Sequence, residues 1–250
     1  MKQLSFVIFA ALFTFSSAAH AQSSKPTPCP GINDITDCPD EGCGQGSDPE
    51  LNKRKNIRSD DQAPTLRSIQ WMKELKSPPK ADFCGARDRD REPLRETGEG
   101  QKITVVALAL AARKGGQESC NCKLKLPQDT DNHIVLVDPA VENPTLAANE
   151  KKSQTAEFTP HVRMDHPNFT QDRLESLIDP EWSSGETPKN GKLLVRVTGL
   201  LMFDSEHYCQ NPLQRQNNWE IHPVLKMEYC PDGKTCQADS DENWIDLDSE

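Results

Sequence analysis

Trp219-Glu-Ile-His-Pro-Val-Leu-Lys-Met-Glu-Tyr229 is the stretch whose reading decides the fold. Trp219, Ile221, Pro223, Leu225, Met227 and Tyr229 fall on one side, and Glu220, His222, Val224, Lys226 and Glu228 on the other. A period of two predicts a strand with one face in a core and the other toward water. Glu220 and His222 are therefore expected side by side on an exposed face. Residues 192–204, rich in branched and aromatic side chains and broken once by Gly199, predict a second strand that pairs with it.

Three more strands and a helix precede this pair. Residues 101–114 carry Ile103, Val105, Ala107, Leu108 and Leu110 into Gly115-Gly116, which reads as a long first strand. Residues 132–137 (Asn-His-Ile-Val-Leu-Val) form a short second one. Residues 155–163 set Ala156, Phe158, Pro160 and Val162 against Glu157, Thr159, His161 and Arg163, a third strand. Residues 168–178 predict a helix, with Thr170 as N-cap and Leu174, Leu177 and Ile178 on its buried stripe. The order β-β-β-α-β-β over residues 100–230 predicts a mainly β protein. Its expected form is a five-stranded Greek-key barrel of the oligonucleotide/oligosaccharide-binding (OB) type, which binds on its second and third strands. Gly199 and Gly115-Gly116 suit the bends such a barrel needs. An open α+β sheet is the alternative arrangement of the same elements.

The chain outside the barrel is of different character. Lys2, the apolar run from Leu4 to Phe15 and Ala19-His20-Ala21 make a secretory signal peptide over residues 1–21. The expectation is a soluble bacterial protein, periplasmic or secreted, with no membrane partner. Residues 22–99 are a Cys-, Pro- and Gly-rich arm with one amphipathic helix near 63–76, marked by Leu66, Ile69, Met72 and Leu75. The alternating charges from Arg87 to Glu92 read as a solvated linker, and residues 231–250 as an acidic C-terminal tail. Nine cysteines in an exported chain predict disulfides, with at least one thiol unpaired or intermolecular. Cys230 and Cys236 flank a short turn and are the expected bridge. Cys120 and Cys122, one residue apart, are expected to pair with different partners.

The formal charge is −10, and removal of Lys2 with the leader makes it more negative. A dedicated nucleic-acid binder gathers phosphate affinity from clustered Lys and Arg, so this balance disfavours that class. A glycan, peptide or protein partner is expected instead.

Several strings carry a resemblance. Glu118-Ser-Cys-Asn-Cys122, Asp131-Asn-His-Ile134, Glu157-Phe-Thr-Pro-His-Val-Arg163, Val197-Thr-Gly-Leu-Leu-Met-Phe-Asp204, Ser205-Glu-His207 and Trp219-Glu-Ile-His-Pro223 resemble a group of uncharacterised exported bacterial proteins. The likeness covers most of residues 100–229 and implies an exported, OB-like barrel with no known activity.

The polar residues of the predicted strands set the functional alternatives. Asp131, His133, Glu157, His161, Arg163, Arg215, Glu220 and His222 form the expected ligand-binding face. Imidazoles beside carboxylates could hold a divalent metal such as zinc, with His133, His161, His222 and Glu220 as the ligand set. The same pairs could bind an extended ligand, although aromatics make up only 6% of the chain and leave few stacking platforms. They could also do no more than fix strand register. No Gly-x-Ser-x-Gly elbow, phosphate loop or dinucleotide fingerprint is present. The expected role is a binding or interaction module. The alternative is a metal-dependent phosphodiesterase or nuclease-like hydrolase using the His/carboxylate cluster.

Overall fold

The computed structural model describes residues 29–44, 46–84, 91–184, 191–208 and 213–249. Its strands are β1 (Thr65–Arg67), β2 (Lys102–Lys114), β3 (Asn132–Val137), β4 (Gln154–Phe158), β5 (Leu193–Phe203), β6 (Trp219–Tyr229) and β7 (Ile245–Asp246). Short α-helices join them: α1 (Pro49–Lys55), α2 (Ile69–Glu74), α3 (Lys80–Phe83), α4 (Glu92–Thr97), α5 (Leu146–Asn149), α6 (Pro160–Arg163), α7 (Gln171–Ile178) and α8 (Ser205–Tyr208). The expected signal peptide lies outside the described residues.

β2 is long enough to serve two neighbours. Its first part pairs antiparallel with β5, from Lys102↔Leu200 to Ala109↔Leu193, and its second part with β3, from Leu108↔Val137 to Lys114↔Asn132. β3 pairs with β4, β4 runs parallel to β6, and β6 returns antiparallel to β5. The circuit β2-β3-β4-β6-β5 closes a five-stranded barrel, the predicted architecture. β1 adds in parallel to β2 at Ile103–Val105, and β7 adds to the end of β6.

Alternate residues of every barrel strand point inward. Ile103, Val105, Ile134, Ala156, Phe158, Val197, Phe203, Trp219 and Ile221 meet in one core, closed at one end by Leu174 and Ile178 of α7. Thr170 caps α7 by accepting the Arg173 N–H, as expected. Gly199 sits where the β5–β6 register shifts. A Cβ there would come within 2.3 Å of the Pro223 carbonyl oxygen, so only glycine allows the two strands to cross this closely.

Four expectations need correction. The third strand ends at Phe158, because Thr159 caps the following turn and Pro160 opens α6; His161 and Arg163 therefore leave the sheet. The helix expected near 63–76 is split, with β1 at Thr65–Arg67 and α2 starting only after Ser68 accepts the Trp71 N–H. Most of the charged run expected as a linker lies outside the described residues, but Arg91 is buried, pairing with Glu99 and donating to the Phe203 carbonyl. The expected tail packs down through Trp244 and Leu247, which are 9% and 1% exposed.

Disulfides join Cys29 to Cys43, Cys38 to Cys122, and Cys230 to Cys236, the last being the expected bridge. Cys120 does not pair as expected; it is a free, buried thiol.

Candidate functional site

The outward residues of β3, β4 and β6 were expected to meet water. His133 and Lys226 do, but the others at the centre of this face do not. His133 lies opposite Glu157 and Thr155 opposite Glu220, as their strand positions require. Glu157, Glu220 and His222 are nevertheless only 4%, 1% and 1% exposed. Three pieces without hydrophobic periodicity cover them. The β2–β3 loop, residues 115–131, contributes Glu118, Asn121 and Asp131. The arm contributes Lys55 from the last turn of α1, and the β5–β6 loop contributes Asp204, His207 and Arg215.

Together these side chains form a continuous network, buried except at His133 and His207, whose side chains are 35% and 45% exposed. Lys55 Nζ stands 2.5 Å from Glu118 Oε2. Glu118 Oε1 is 4.0 Å from His133 Nε2, which is 3.4 Å from Glu157 Oε1. His222 Nδ1 lies 3.0 Å from Glu157 Oε2 and 3.3 Å from Glu220 Oε1. Its Nε2 faces Asp131 Oδ2 at 4.0 Å. Arg215 donates to Glu220 Oε2 at 2.6 Å and also pairs with Asp204, whose Oδ2 lies 2.7 Å from His207 Nδ1.

Burial and mutual charge perturb the ionisation of these groups. Burial pushes Asp131 up to about 6, with the Glu118 charge adding to it. Burial and the Glu157 charge likewise raise Glu220. Burial works against charge on Glu157 too, but His133 and His222 outweigh it and hold that carboxyl well below the usual range. His222 is pushed down by burial and up more strongly by Glu157 and Glu220, reaching about 10. His207, hydrogen-bonded to Asp204, is raised to about 9. Cys120 is driven far up by burial and by Glu118 and Asp131, so it stays a neutral, poor nucleophile.

The network borders a cavity of about 340 Å³, lined by Arg113, His133, Val135, Glu150, Ser153, Thr155, Glu157, His207, Leu213, Gln214 and Arg215. A larger cleft of about 730 Å³ lies over β2, β5 and β6. Its charged groups, Arg196 with Glu228 and Asp241, already satisfy one another, and none of its lining residues leaves a buried polar atom unpartnered. Of these two, the smaller cavity has unsatisfied chemistry at its floor, at His133 Nε2 and Glu157 Oε2.

No protein family, curated protein or solved structure matches the chain. The site therefore stands on its own geometry.

Of the residues expected at one site, Asp131, His133, Glu157, Arg215, Glu220 and His222 come together. His161 sits on α6, its Nδ1 3.8 Å from Asp40, and takes no part in the network. Arg163 donates to the Gln128 and Thr130 carbonyls and braces the end of the β2–β3 loop. Lys55 and Glu118 are members that the sequence did not single out. Lys55 stands in Lys53-Arg54-Lys55, which reads like any solvated basic helix end.

Proposed function

We propose that the protein is an exported OB-like binding module that takes a small polar ligand into the cavity over β3 and β4. One observation carries this reading: the cavity is floored by the buried network and framed by the strands and loops with which barrels of this class bind. Its volume of about 340 Å³ falls at the lower end of small-molecule sites. The lining offers Arg113, His133, Ser153, Thr155, Gln214 and Arg215 for hydrogen bonding and no phenyl, phenol or indole ring for stacking. Trp219 and Phe158 are locked in the core. These features suit a saccharide or a short peptide better than a nucleic-acid strand. The signal-like N-terminus and the disulfides support an oxidising compartment outside the cytosol.

Glycan, peptide and oligonucleotide arrays at low and high salt test this reading, with Gln214→Trp as the variant that caps the cavity. A saccharide or peptide hit, weakened at least about tenfold in the variant, is expected. Binding confined to oligonucleotides, with steep salt dependence, overturns it.

A metal-dependent hydrolase is the second reading, favoured because His133 and Glu157 belong both to the cavity wall and to the donor cluster. Turnover of an activated phosphodiester with added divalent metal, abolished in Glu157→Gln, would put it first.

A further inference from the structure

We infer that Asp131, Glu157 and His222 bind one divalent ion of the zinc–manganese class. The inference deepens the binding reading by placing a cation beside the cavity, but it does not depend on any organic ligand being found.

Donor atoms from these three buried residues lie within 4.8 Å of one another. They come from the end of the β2–β3 loop, from β4 and from β6, so three separate elements converge on one point. In each residue a neighbour orients one polar atom while another is left without a hydrogen-bond partner. Asp131 Oδ1 accepts from Asn121 Nδ2 at 2.9 Å, and Asp131 Oδ2 has none. Glu157 Oε1 faces His133 at 3.4 Å, and Oε2, 3.0 Å from His222 Nδ1, makes no hydrogen bond of acceptable geometry. His222 Nδ1 is paired with Glu220, which Arg215 holds, and His222 Nε2 has no partner. A carboxylate on one imidazole nitrogen, with the other nitrogen unpartnered and able to exchange its proton for a metal ion, is the arrangement by which proteins orient a metal-binding histidine.

The spacing is near what an ion needs. The 4.0 Å between His222 Nε2 and Asp131 Oδ2 is too long for a hydrogen bond. Two ligands each about 2.0–2.2 Å from a shared tetrahedral ion stand about 3.3–3.6 Å apart, so these side chains close by roughly half an ångström on binding. His133, whose Nε2 makes no hydrogen bond, stands on the cavity side in a separate donor trio with Glu118 and Glu157. Mixed carboxylate and imidazole donors select borderline ions such as Zn²⁺, Mn²⁺ or Co²⁺ over Cu⁺.

The disulfide-intact mature protein, stripped with chelator, is titrated with Zn²⁺ by calorimetry and with Co²⁺ by visible absorption. One ion per chain is expected, with no thiolate charge-transfer band, since Cys120 is outside the set. Asp131→Asn and His222→Gln each weaken binding at least about 100-fold, while Cys120→Ser and His161→Gln leave it unchanged. Absence of heat and of a cobalt spectrum in the wild type, which needs no variant to fold, overturns the inference. Binding that survives His222→Gln overturns it too. Repeating the ligand arrays on stripped and loaded protein separates the two readings. Metal bound without any array hit removes only the organic-ligand reading, and an array hit without metal removes only this one.

Discussion

Glu175 shows how much one buried carboxyl can say about the molecule. On α7 it is fully buried; its Oε1 accepts the Ala112 N–H and its Oε2 has no partner. Burial pushes its pKa up to about 7, Asp179 adds to this, and the Ala112 N–H opposes it. The folded state therefore holds a proton that the unfolded chain releases near 4.5. Between those values the folded state binds more protons, so stability falls as pH rises through about 4.5 to 7 and is flat above. Glu175→Gln keeps a carbonyl for Ala112 without the charge. It is expected to remove this slope and to stabilise the protein at pH 8 by on the order of 1–3 kcal/mol, read from urea unfolding at pH 4, 6 and 8. Wild-type and variant curves that stay parallel across pH would refute the assignment. At this scale the sequence was informative about direction and silent about depth. Period-two alternation placed His133, Glu157, Glu220 and His222 correctly outside the core, since side-chain parity survives whatever covers the sheet. It could not show that the outer face is dry, because the covering loop and arm have no period to read.

Among the elements, the β2–β3 loop decides whether the site exists, and it is held from the arm. Cys38 bridges to Cys122, Asn56 donates to the Cys120 carbonyl at 3.0 Å, and Ser119 donates to Asn52 at 3.1 Å. Lys55, 2% exposed, neutralises Glu118 at the loop's inner end. Burying an ion pair gains little over an apolar pair, but stranding one member is costly. Lys55→Met alone is thus expected to destabilise by about 3–5 kcal/mol. The double variant Lys55→Met/Glu118→Gln should recover most of that loss, a coupling measurable in a double-mutant cycle. If the two single effects simply add, the pair is not the clamp described. The β4–α6 boundary shows a signal that alternation overrode. Thr159-Pro160 is a good N-cap followed by proline at the first helical position, yet Pro160 and Val162 continue the apolar parity of β4 into α6. Reading parity past that point is what put His161 among the expected metal ligands.

For the whole molecule, the question is whether residues 100–230 fold without the arm, as their sequence order suggests. The barrel core includes Ile69, Met72 and Leu94, each at most 1% exposed and each from the arm. Burial of those three side chains contributes on the order of 5–9 kcal/mol, against a total stability of about 5–15 kcal/mol for an ordinary domain. Truncation also removes Lys55 from Glu118, Arg91 from the Phe203 carbonyl, Glu99 from the Phe203 N–H, and Cys38 from Cys122. Each leaves behind a buried group or a freed loop. A chain beginning at residue 100 is therefore expected to lose cooperative thermal unfolding and near-ultraviolet dichroism, even if some strand content persists. The full chain should unfold in one transition because arm and barrel share the core. A truncated chain that melts cooperatively with a Tm within a few degrees of the full protein would show that the arm is an accessory. In that case Lys55 would be dispensable to the network, and the site would belong to the barrel alone.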